Sequence, residues 1–151
     1  MKIIAKLLLP ALFLFSAQAY AQHPDYSGTW VLNLQKSKLE SQQDGFTGSM
    51  FIIKQEGDRF KLTRYHYIGD KKKKLGFKMV ADGRTRTTKI LFKSKLEWKG
   101  DSLLASIWRK NFSNIVSYRF GSSPDEFVAD ESFSGGGKQH HNIWIFDRQR
   151  K

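Results

Sequence analysis

The stretch DYSGTWVLNLQKSKL, residues 25–39, decides the fold. Gly28 stands two residues before Trp30 at the head of a run in which polar and apolar side chains alternate, the period of a half-buried β-strand. Glycine has no Cβ, so the chain can turn tightly into the strand. Trp30 is a large rigid body of the kind that fills the base of a barrel.

Upstream of this stretch the chain reads as a leader. Met1 to Ile4 and Lys6 form a short positive segment, LLLPALFLF is an apolar segment, and AQAYA offers small residues for cleavage after Ala21. Pro10 interrupts the apolar run, which is too short to be a good membrane-spanning helix. The expected organisation is a signal peptide over residues 1–21 and one domain over residues 22–151, in a protein that is periplasmic or secreted. There is no cysteine. That excludes disulfides, thiolate zinc sites and lipid anchoring through cysteine, so the core alone must stabilise the domain. The formal charge of the chain is +12, and loss of Lys2 and Lys6 with the leader lowers it by two. Such a charge suits acidic partners. It equally suits a soluble chain with no charged partner, because the charge is spread along the sequence and the only tight run is residues 71–74.

Downstream, short alternating runs recur every eight to twelve residues or so, as they do in all-β sandwiches and barrels. SGTWVLNL, SMFIIKQE, RFKLTRYHY, KLGFKMV, TTKILFK, SKLEWKG, SLLASIWRK, SNIVSYRF, EFVADESF and HNIWIFDR are the candidate strands. EGD, IGD, ADG, KGD, GSSPD and SGGG between them supply hairpin turns. With turns this short the neighbours must be antiparallel. The expected fold is an all-β, up-and-down antiparallel meander of about 8–10 strands that closes on itself and so removes its edges.

The SGTW motif, Ser27 to Trp30, resembles the opening of lipocalin-type barrels. The longer stretch to Leu39 is similar to the start of small exported bacterial lipocalin-like proteins, and avidin-like and other calycin-type barrels also open on Gly-Thr-Trp. The resemblance implies that Gly28 and Trp30 form the closed end of the barrel. It also implies that an arginine of the last strand packs across the tryptophan; Arg148 matches by position, with Arg119 the second candidate.

Motifs for chemistry are sparse. No Gly-x-Ser-x-Gly elbow is present, SGGGKQH lacks phosphate-loop spacing, and His140 and His141 point to opposite faces of a strand. The reading is therefore of a protein that is not an enzyme and uses no cofactor or metal. Tyr65 and Tyr67 beside the lysine run read as strand formers rather than a nucleic-acid platform. What remains is a container for one small hydrophobic or amphipathic molecule. Arg64 and His66 follow Phe60 and Leu62 on one face, and Arg109 follows Leu103, Ala105 and Ile107 on another. The basic groups suit an anionic head, and Phe60, Leu62, Leu103 and Ile107 suit an apolar tail. The other reading is a basic envelope or extracellular interaction protein with a filled barrel. Either would be a monomer or weak homodimer without a membrane span.

Overall fold

The computed structural model describes residues 23–88 and 91–150; the leader reading lies outside them. The described residues form eleven strands and no helix: β1 (Gly28–Leu32), β2 (Lys38–Leu39), β3 (Phe46–Glu56), β4 (Arg59–Ile68), β5 (Lys71–Val80), β6 (Arg86–Thr87), β7 (Lys93–Lys99), β8 (Ser102–Arg109), β9 (Phe112–Phe120), β10 (Glu126–Gly135) and β11 (Lys138–Arg148). Every pairing is antiparallel, and the sheet runs β5-β4-β3-β1-β11-β10-β9-β8-β7-β6. The meander expected from the turn spacing is the observed fold. Glu56 faces Arg59 and Lys99 faces Ser102, which leaves the two-residue turns Gly57-Asp58 and Gly100-Asp101. Gly57 and Gly100 have φ of 57° and 60°, a positive value that a type II′ hairpin requires at its first central residue.

The first and last described strands join. Trp30 is in register with Phe51 on one side and with Arg148 on the other, so β1 links β3 to β11. β2 then continues along β11, Lys38 opposite Ile143 and Leu39 opposite Asn142, after residues 33–37 loop outward. Ser37 pins that excursion: its Oγ donates to Asn33 O at 2.7 Å and accepts from Ile145 N at 2.9 Å. β2 has only two residues, too few for alternation to reveal it. The candidate strand TTKILFK is also shorter than expected. Its first residue, Thr87, pairs in β6 and its last, Lys93, in β7, each opposite the other, and Leu91 takes a φ of 60° in the loop where Thr88 N donates to Phe92 O. A turn breaks the run, and Lys89 and Ile90 lie outside the described residues.

The free edges are therefore β5 and β6, and a seam runs between them. At one end it is sewn shut: Gly83 N donates to Leu96 O at 3.0 Å, and Trp98 Nε1 to Asp58 Oδ1 at 2.9 Å. At the other end residues 71–78 of β5 are all exposed, including Leu75 and Phe77, each 47% accessible. Those two share a face with Leu62 and Arg64 through the register of β4 and β5, which makes them inner-face residues laid bare by the open seam.

Candidate functional site

The base of the barrel is packed aromatic. Trp30 and Phe146 are fully buried and Tyr26, Phe51, Phe60, Phe127, Leu96 and Leu103 nearly so. Tyr26 enters from below, accepts Trp30 Nε1 on its carbonyl at 2.9 Å, and donates its hydroxyl to Asp101 O at 2.8 Å. Burial first, then the Asp101 charge, pushes its phenol up to about 12. Arg148 lies across Trp30 with its guanidinium carbon 4.1 Å from the ring centroid, and its Nη1 donates to Ser27 O at 2.8 Å. Gly28 makes room for it: φ is 146°, and a Cβ there would stand 2.6 Å from Arg148 Nη1. A glycine precedes the tryptophan because the arginine that caps the tryptophan occupies the space of its side chain.

Above the base the interior changes character. Arg64 on β4 points inward between Phe51 and Trp144, 5.0 and 5.4 Å from their ring centroids, within cation–π range. Its Nε donates to Ser49 Oγ at 3.3 Å, and Ser49 passes the bond on to Tyr65 O at 3.0 Å. Among the described residues no carboxylate forms an ion pair with it, and its two terminal amino groups have no protein acceptor. Burial lowers its pKa, opposed by Tyr118 and Glu131; a guanidinium remains charged regardless.

The facing carboxylate is Glu131 on β10. It accepts from Asn114 Nδ2 at 2.9 Å, Asn142 Nδ2 at 3.1 Å and Trp144 Nε1 at 2.7 Å. Burial works to raise its pKa, but these three donors and the charge of Arg64 outweigh it and hold the carboxyl below the usual range. Because a carboxylate only accepts, the Asn114 amide is fixed with nitrogen toward Glu131. Its Oδ1 is thereby left buried without a partner. The indole that holds Glu131 is the ring on which Arg64 lies, so the two charges share Trp144 without touching.

His66, on the same inner face as Arg64, is half-buried and packs edge-on to Phe46 with ring centroids 5.7 Å apart. Burial, then the Arg64 charge and Lys73, lower it to about 4 against the opposing pull of Glu131. The imidazole is neutral at physiological pH. Lowering the pH from about 6.5 towards 4 should destabilise the fold, because the unfolded chain takes up a proton that folded His66 refuses. Chemical melts across that window should show the slope, and His66→Gln should flatten it.

The residues singled out in the sequence lie at three heights. Phe60 and Leu103 belong to the packed base, at 3% and 4% accessibility. Leu62, Arg64 and His66 line the half-buried middle. Ile107 is exposed near the far end of β8, and Arg109 is exposed at its terminus with its guanidinium 4.9 Å from the Phe92 ring. The structure thus brings Arg64 and His66 together and sets Arg109 apart. Sequence reading did not place Glu131, Asn114, Asn142 and Trp144 in the interior. The signal was present for Glu131, which follows Phe127 and Ala129 in two-residue steps. His140 and His141 do diverge: His140 stacks on Phe133 inside, and His141 meets Asp130 at 2.7 Å outside. Two concavities, about 1060 and 490 Å³, lie toward the hairpin ends of β8 to β11 and are lined by outer-face residues together with the hairpin turns and rim residues such as Arg109 and Lys138.

Solved structures share this architecture. A Schistosoma mansoni fatty acid binding protein in complex with arachidonic acid superposes with a TM-score of 0.57 at 11% identity, covering 83% of this chain and 96% of that one. Zebrafish ileal bile acid-binding protein complexed with cholic acid gives 0.53 at 16% identity, over 82% of this chain and 98% of the other. A secretary abundant heat soluble (SAHS) protein from Ramazzottius varieornatus gives 0.54 at 13% identity, over 82% and 95%. At these identities the likeness is one of fold alone, an antiparallel β-barrel. No protein-family profile and no curated protein matches the sequence.

Proposed function

We propose that the barrel carries one amphipathic anionic small molecule, its head at Arg64 and its tail among the inner apolar side chains. The observation behind this reading is the state of Arg64: a cation inside the barrel, held on two aromatic faces, with no ion pair and two unused terminal amino groups. A half-buried cation with no protein anion favours an anionic ligand, and a charge-assisted hydrogen bond to it contributes about 1.5–3 kcal/mol. Leu62 and the seam residues Leu75 and Phe77 offer apolar surface next to it and a sideways path from solvent. Fatty acid and bile acid binding by proteins of the same fold supports a small hydrophobic ligand in general. The reading extends to a non-enzymatic protein, exported by the leader of residues 1–21, that works in the periplasm or outside the cell as a monomer or weak homodimer. The basic interaction protein with a filled barrel is the second reading, favoured by concavities that lie outside the barrel.

Titration with a long-chain anionic fluorophore separates the two. Saturable binding is expected, weakened by Arg64→Leu by roughly 1.5–3 kcal/mol, with a neutral analogue little affected. Arg109→Leu should have a smaller effect than Arg64→Leu, since Arg109 is exposed at the rim. Binding that is absent, or that responds equally to any surface lysine and vanishes in salt, favours the outer surface instead.

A further inference from the structure

On the outer face, the register of four strands aligns Trp108 with Ser113, Ser113 with Ser134, and Ser134 with Gln139. The row crosses β8, β9, β10 and β11 at about 4.8 Å per strand, close to the length of one hexose ring. It forms the floor of the larger outer concavity, and no aspartate or glutamate lines that concavity. Lys110 and Lys138 border it from the two hairpin tips, and Gly136 and Gly137 leave the space beside it open. Trp108 differs from the other tryptophans. Trp30, Trp98 and Trp144 each donate an indole hydrogen bond, whereas among the described residues Trp108 has no such acceptor and no stacked ring.

We infer that this row is a binding site for an acidic oligosaccharide, one bearing carboxylate or sulfate groups. An indole face packs against the C–H face of a sugar ring, the next three positions supply hydroxyl and amide groups at sugar spacing, and the flanking lysines meet the negative charge. Single-stranded nucleic acid fits less well, because it needs successive aromatic platforms and the row has one. The site is independent of the barrel interior.

Calorimetry on the mature chain, with trigalacturonate and a heparin-derived hexasaccharide as separate probes, tests the inference and distinguishes carboxylate from sulfate. At least one probe should bind saturably with a change in tryptophan emission. Trp108→Ala should weaken it at least ten-fold, Ser113→Ala with Ser134→Ala several-fold, and Lys110→Gln with Lys138→Gln several-fold, while Arg64→Leu should leave it unchanged. Maltotriose, which is neutral, should bind at least ten-fold more weakly than the acidic probe. Failure of both probes, indifference to Trp108→Ala, tighter binding of maltotriose, or Trp108-dependent binding of oligothymidylate tighter than either sugar would overturn it.

Discussion

Trp30→Ala should lower the stability of the domain by about 3–5 kcal/mol, the range for truncating a large buried aromatic. Trp30 is 0% accessible, sits 5.3 Å from Phe127 and 6.2 Å from Phe120 between ring centroids, and anchors Tyr26 through its indole nitrogen. Its removal also strands Arg148, whose guanidinium would lose the ring it lies on. Chemical denaturation should show the full loss with an unchanged denaturant slope. A loss under about 1 kcal/mol would mean that the base is held by Tyr26 and the phenylalanines alone. The arginine is the smaller part of this arrangement, because one cation–π contact contributes roughly 0.5–2 kcal/mol.

Glu131→Leu should be the second large effect, about 2–4 kcal/mol of destabilisation. The change removes one carboxylate but leaves four groups without it: the Asn114 and Asn142 amides, the Trp144 indole and the Arg64 charge. Glu131→Gln retains an oxygen acceptor and should cost less than half as much. Glu131 also contributes to acid sensitivity, because its folded pKa is depressed. Its stabilisation is present above the ordinary glutamate pKa and disappears as the pH falls through the folded value. In Glu131→Gln the acid limb of the stability profile should therefore flatten below about pH 4.5. An unchanged profile would show that the three donors, not the charge, are what the carboxylate provides.

The fold was legible because its determinants are local. Gly57 and Gly100 fix hairpins within two residues, and alternation then assigns every long strand its faces. Gly28 before Trp30 carried the closed end in three residues. Alternation does not carry height along the barrel, and that is why Phe60 and Leu103 of the packed base stood in the sequence beside Ile107 and Arg109 of the rim. Nor does it carry partners across the barrel. Arg64 and His66 were readable as polar groups on an apolar face, but nothing local in the sequence sets Glu131 across from Arg64. The seam follows from a similar limit: Leu75 and Phe77 look like core by period, and only the register shows β5 as an edge with its inner face open.

The most direct measurement is an NMR titration of the protein with a uniformly carbon-labelled long-chain fatty acid, following contacts between ligand and protein. The expected result is a saturable complex in which the carboxylate perturbs the Arg64 side chain and the acyl chain gives contacts to Leu62 and Phe77. Contacts confined to the outer face of β8 to β11, or no saturable complex, would contradict a ligand-carrying barrel.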